Sequence, residues 1–188
     1  IPKMLMINEV GRRVMQGGSR RSAIYASMNW KHADVSKFLI SKNWYEMPVG
    51  NTGFTIGQVK EQDFNFIAPL DMTNISVNYD TEWLLNYWET GDVGTTFKQN
   101  VQQALRTAEP GFSFNFFDKE NETLRNACTE VTSENDSDVC NLGSVNLGRV
   151  DTLKEFKDIV HLATKFLMCG TLKAKLPYDK VYKVREKN

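Results

Sequence analysis

The sequence predicts an α/β fold with a parallel or mixed sheet, on three observations. Short apolar or period-two segments alternate with segments whose apolar residues recur every three or four positions. The helical segments are about 10 to 15 residues long, the length that a crossover between parallel strands requires. Glycines and prolines punctuate the junctions, with no internal repeat and no low-complexity linker. At roughly 150 residues per domain, 188 residues allow one domain, or two small ones at a stretch.

Leu5, Val10 and Val14, with Arg12 and Arg13 between them, predict a helix over 4–15 that Gly17 and Gly18 would stop. Ala23 to Met28 is short and mostly apolar, a buried strand. Asp34 is placed to cap a helix through about Lys42, with Val35, Phe38 and Leu39 on one face. From Pro48 to Pro69 glycines and polar residues predict an irregular excursion. Asn74 to Tyr79 then alternates at period two, as a strand does. Asp80 should cap the helix of Thr81 to Glu89, with Glu82 in its first turn and Gly91 and Gly94 breaking it. Phe97, Val101, Leu105 and Ala108 recur at four, four and three residues, an amphipathic helix stopped before Pro110. Phe112 to Phe117 predicts another strand, and this aromatic run is read as core rather than as a platform for bases. Thr152 and Glu155 have the form of a capping box for a helix whose stripe is Phe156, Ile159, Val160, Ala163, Phe166 and Leu167, ended by Gly170.

Composition narrows the function classes. The 23 basic residues balance 23 acidic ones, so no basic surface invites nucleic acid or an anionic membrane. A hydrophobic content of 41% argues against disorder, and no apolar run approaches the roughly 18 residues of a membrane span. The first residues do not form a secretory signal, so a soluble, cytoplasmic chain is expected, and the Ile1 start suggests a processed chain or a piece of a longer one. Three cysteines, Cys128, Cys140 and Cys169, are too few for a disulfide scaffold. Without a C-x-x-C, and with His32 and His161 far apart, no metal site is expected.

Chemistry concentrates between Leu124 and Leu147. If the segment is extended, alternation puts Asn126, Cys128 and Glu130 on one face, where an amide, a thiol and a carboxylate converge. A surface loop with a buried free cysteine is the other reading, and spacing leaves both open. Cys169, His32 and His161 are read as structural, with Cys169 packed in the core. Glu134 to Asp138 is read as a solvated connection without a calcium-loop pattern. Gln16 to Ser22 reads as a solvated Gly-Gly turn with two arginines, or as backbone able to approach a ligand.

Asn-Ala-Cys-Thr-Glu (126–130), followed by Asp-Val-Cys-Asn-Leu-Gly-Ser-Val-Asn-Leu (138–147), resembles the active-site signature of the large, catalytic chain of ribonucleotide reductases. Further landmarks keep the family order: Gln16 to Ala26, Trp30 to Val35, Asp71 to Val77, Glu109 to Ser113, Pro177 to Val181 and the final Arg185 to Asn188. The short spacing between Cys128 and Cys140 looks most like the adenosylcobalamin-dependent, class II branch.

The resemblance implies a partial segment of a ten-stranded α/β barrel, with 1–188 a single piece lacking the first barrel strand and the C-terminal part. Cys128 would become a thiyl radical that removes the 3′ hydrogen of a ribonucleotide. Glu130 would accept the 3′-hydroxyl proton and Asn126 would hold the substrate hydroxyls. Cys140 would be one of the two thiols that reduce the 2′ position. Gln16, Gly17, Gly18, Ser19, Arg20 and Arg21 would form the loop that conveys the identity of a deoxyribonucleotide effector. Adenosylcobalamin would serve the intact enzyme from outside this segment, and the remaining reductase chain or a second copy would be its partner. The isolated chain is expected to be inactive. Two alternatives stand beside this reading, a non-catalytic association module of a split reductase and a simple Cys128/Cys140 dithiol oxidoreductase.

Overall fold

Three strands, β1 (Ile24–Asn29), β2 (Thr73–Asp80) and β3 (Gly111–Asn115), lie side by side in that order and run parallel. The computed structural model describes residues 1–14, 21–116 and 123–188, in two compact units, Ile1–Glu130 and Val131–Asn188. The predicted Gly17-Gly18 stop and Phe117 lie outside the described residues.

Parallel neighbours need crossovers, and helices supply them. The helix α1 (Pro2–Arg13) precedes β1, while α2 (Val35–Leu39) and α3 (Ile56–Gln62) lie between β1 and β2. Next come α4 (Thr81–Thr90) and α5 (Gly94–Thr107), leading into β3. The register pairs Ile24 with Thr73, Asn29 with Asn78, Ser76 with Gly111 and Asp80 with Asn115. Alternation then splits the sheet into two faces. Ile75, Val77 and Tyr79 enter a core with Val35, Phe38, Leu39, Leu70 and Trp83, against which Phe97 and Phe112 pack. Each large apolar side chain buried there contributes about 1.5–3 kcal/mol. The rings of Trp83 and Phe97 stack at 5.1 Å and Tyr79 meets Phe97 edge-on at 5.2 Å. Of the aromatic run expected to be core, Phe112 and Phe116 pack against this cluster, whereas Phe114 is 43% exposed. The opposite face carries Tyr25, Ser27, Asn29, Asn74, Ser76, Asn78, Ser113 and Asn115.

Several predicted elements form and some differ. Asp80 caps α4 by accepting from the Trp83 N–H at 3.1 Å, and Gly91 ends it in the left-handed region at φ 71°. In α1 the expected stripe is reversed: Leu5, Val10 and Val14 are exposed, while Asn8 and Gly11 are buried. Asn8 Oδ1 accepts from the Met72 N–H and the Thr73 hydroxyl, both at 2.9 Å, and Arg12 forks onto Asp71 at 2.7 and 2.8 Å. Polar groups therefore fasten this helix, and a Cβ on Gly11 would lie 2.5 Å from Ile24 Cδ1.

Asp34 does not cap α2; its carboxylate takes Lys37 instead. The helix stops at Leu39, where the Ser41 N–H and hydroxyl both turn onto the Phe38 carbonyl. The excursion predicted from Pro48 contains α3, started by a reciprocal capping box: Gln58 N–H donates to Thr55 Oγ1 and Thr55 N–H to Gln58 Oε1. In α5 the buried positions are Asn100 and Gln103, and Leu105 is exposed.

In the second unit, α6 (Leu153–Lys173) begins at Thr152 as predicted but runs through Gly170. Alpha-helical α7 (Asp179–Lys187) was not expected from so polar a stretch. It is held by Arg185, whose Nη1 donates to the Thr171 and Ala174 carbonyls at the C-terminus of α6. No residue of α6 is buried within this chain, and Leu162 and Phe166 are 68% and 77% exposed.

Candidate active site

The polar face of the sheet holds the segment that bears Cys128. Asn115 Nδ2 donates to Asn78 Oδ1 at 2.6 Å, and its Oδ1 accepts from the Thr123 N–H at 3.0 Å. Asn74 Nδ2 donates to the Ala127 carbonyl at 2.7 Å. Arg125 donates through Nη2 to the Phe114 carbonyl at 3.0 Å and through Nη1 to the Thr129 carbonyl at 3.4 Å.

Between these supports the chain turns instead of running extended. The Thr129 N–H donates to the Asn126 carbonyl at 3.1 Å, with Ala127 and Cys128 at the corners and Thr129 at φ 71°. The alternation expected to align Asn126, Cys128 and Glu130 therefore does not apply: a local carbonyl, not a neighbouring strand, satisfies the Thr129 N–H. Cys128 and Glu130 are exposed and Asn126 is half-buried, so the reading of Cys128 as a buried packing residue does not hold either. A left-handed β-branched residue is strained, and such strain clusters at functional sites.

Beside the turn lies an open cavity of about 500 Å³, walled by Ala23, Tyr25 and Ser27 on one side and by residues 123–127 on the other. That volume suits a nucleoside-sized ligand. Sequence reasoning missed Tyr25 and Ser27, although their alternate spacing in the run Ala23 to Met28 placed them together on one face.

Of the predicted loop, Gln16, Gly17, Gly18, Ser19 and Arg20 lie outside the described residues. Arg21 is exposed; its guanidinium bonds to Asn65 Oδ1 and sits 5.1 Å over the Phe64 ring. Cys140 belongs to the second unit and is exposed. Just after it, Asn141 Nδ2 donates to the Leu167 carbonyl at 3.0 Å, seating this stretch on α6. Cys169, expected in the core, is exposed, because the α6 stripe has no buried residue around it. His32 is exposed, its Nδ1 accepting from the Asp34 N–H at 3.0 Å. Among the described residues no group of three or more His, Cys, Asp or Glu is gathered to hold a metal ion, and no helix is long and apolar enough to cross a membrane.

Comparison with known proteins bears on the same region. Residues 80–188 match the ribonucleotide reductase barrel domain. Over 185 residues, 91% of this chain, it is 26% identical to the vitamin B12-dependent ribonucleoside-diphosphate reductase of Thermoplasma acidophilum. The chain spans only 23% of that relative's length. No solved structure matches. The family match covers more than half of the chain and includes the turn with Cys128 and the segment with Cys140, so this chain belongs to the ribonucleotide reductase barrel-domain family.

Proposed function

We propose that this chain is the segment of an adenosylcobalamin-dependent ribonucleotide reductase that carries the radical cysteine, cut from a ten-stranded α/β barrel. The observation that carries the proposal is an exposed Cys128 thiol on a braced turn, next to a nucleoside-sized cavity on the polar face of a parallel sheet. In this reading Cys128, as a thiyl radical generated from outside the segment, removes the 3′ hydrogen of a ribonucleotide. An S–H bond is close in strength to the ribose C–H bond it must replace. Glu130 accepts the 3′-hydroxyl proton and Asn126 holds the hydroxyls. Cys140, with a partner thiol beyond this segment, reduces the 2′ position as water leaves. The loop through Arg21 conveys a deoxyribonucleotide effector, and the setting is the cytoplasm.

The cobalamin rests on the relative's name. The described residues do not build a site for it: the cavity by the turn, about 500 Å³, is too small for a corrin ring with its side chains, and no step is routed through that group. An association role with further reductase chain is favoured separately by the exposed apolar residues of α6.

Alkylation tests the substrate assignment. With a ribonucleoside diphosphate present, iodoacetamide should label Cys128 several-fold more slowly while Cys169 labels at an unchanged rate. Equal rates at Cys128 with and without nucleotide count against the pocket. Incubated with ribonucleotide, adenosylcobalamin and a dithiol, the 188-residue chain should yield no deoxyribonucleotide, and product would defeat the fragment reading.

A further inference from the structure

We infer that Asn74, Asn115 and Arg125 are positioning residues, a three-point clamp that holds the turn of Asn126 to Thr129 in one conformation. The inference deepens the proposed function, and its meaning for catalysis rests on Cys128 being the radical cysteine. The clamp itself stands on geometry alone.

The three contacts grip different parts of a short segment. Asn115, anchored on β2 through Asn78, takes the N–H of Thr123 at the start. Asn74, also on β2, takes the carbonyl of Ala127, the residue before the cysteine. Arg125 spans the turn from its own base, joining the Thr129 carbonyl after the cysteine to the Phe114 carbonyl on β3. Cys128 is thus bracketed by held carbonyls on either side, both referred to the rigid sheet.

Such bracing has a physical reason. Thr129 occupies the left-handed region at φ 71°, which a β-branched residue leaves readily unless its surroundings insist. Without the clamp the peptide on either side of Cys128 would relax and carry the sulfur with it. Chemistry that moves a hydrogen atom between sulfur and carbon tolerates displacement of only about half an ångström. Asn74 is exposed and touches the turn through its side-chain amide, so it contributes to the position of Cys128 without contributing to the core.

The test reads conformation at the sulfur directly. With Cys140→Ser and Cys169→Ser in place, a nitroxide attached to Cys128 reports the turn by electron paramagnetic resonance. Asn74→Asp keeps the size of the side chain but has no N–H to donate. It should lower the ratio of immobilised to mobile label about fivefold, the worth of one net hydrogen bond, with the melting temperature unchanged. Asn115→Ala should do the same. Arg125→Lys should not rescue the loss seen in Arg125→Ala, since one ammonium cannot serve both carbonyls as a guanidinium fork does. Asn86→Ala on α4 is the control and should leave the spectrum unchanged. A spectrum of Asn74→Asp that matches the parent in a folded chain overturns the clamp, as does a loss of immobilisation matched by the Asn86 control. If nucleotide fails to shield Cys128 while these spectra change as expected, the substrate reading fails and the clamp survives.

Discussion

The hydroxyl of Tyr79 donates a 2.9 Å hydrogen bond to Oδ1 of Asn100, and both side chains are sealed from solvent. Asn100 Nδ2 donates in turn to the Pro110 carbonyl at 2.7 Å. One buried amide thus ties β2, α5 and the approach to β3 together. An apolar stripe would fix the face of α5, but only a directional bond fixes its rotation and height on the sheet.

Tyr79→Phe should therefore cost about 1–3 kcal/mol, since Asn100 Oδ1 loses its donor inside the core. Urea unfolding checks this. Burial pushes the Tyr79 hydroxyl well above its ordinary range. A group raised on folding contributes stability that is complete below the unfolded value, near 10, and is lost as pH rises beyond it. The wild-type urea midpoint should fall above about pH 10, and Tyr79→Phe should flatten that fall.

Asp71 gives the opposite dependence. Burial raises its carboxyl, but hydrogen bonds from Arg12, Asn8 and the Ala68 N–H outweigh burial and hold it below the usual range. A lowered carboxyl contributes stability that is complete above the unfolded value, about 3.9, and is lost as pH falls through the folded one. Asp71→Ala leaves Arg12 with Glu9 as its remaining ion partner and takes the acceptor from Asn8 Nδ2, and should cost about 1–3 kcal/mol at neutral pH. Acid titration of the wild type should show the corresponding loss below about pH 4, absent in the variant.

Asp80 joins a helix cap to the sheet. Its Oδ1 accepts from Trp83 N–H at 3.1 Å and Trp30 Nε1 at 3.0 Å, and its Oδ2 from Asn29 Nδ2 at 2.9 Å. Asparagine is as good an N-cap as aspartate, so Asp80→Asn would be nearly silent if capping were its whole role. It should instead cost about 1–2 kcal/mol, because two amides would face each other donor to donor. Asn29→Asp in the same chain should restore most of the loss in thermal melts.

The three thiols are free and exposed, so Ellman's reagent should titrate three equivalents from the native chain without denaturant. Fewer would mean that a pair has joined, as the dithiol oxidoreductase alternative requires, and peptide mapping after air oxidation would show whether Cys128 and Cys140 are that pair.

Leu162 and Phe166 stand four residues apart on α6 and are mostly exposed. Sedimentation should show association that grows with concentration, and Leu162→Glu with Phe166→Glu should return the chain to monomer. A wild type that is strictly monomeric would argue against an association role for this helix.

By itself the sequence determined where most elements lie, because that information is local. The alternation in Asn74 to Tyr79 made β2, Asp80 started α4, and Thr152 started α6. The threonine and glutamine of the α3 capping box were equally local and were simply passed over. Residues 126–130 and 138–147 likewise named the family through their order alone, which the match over 80–188 bears out. Only tertiary structure decided which face of α1 and α5 is buried. Hydrophobic spacing ranks faces by apolar area, whereas Asn8 and Asn100 win by directional bonds to partners distant in sequence. The turn at Cys128 was hidden for the same reason. Asn74 holds it from outside through the Ala127 carbonyl, 53 positions later in the chain, and no local preference encodes that contact.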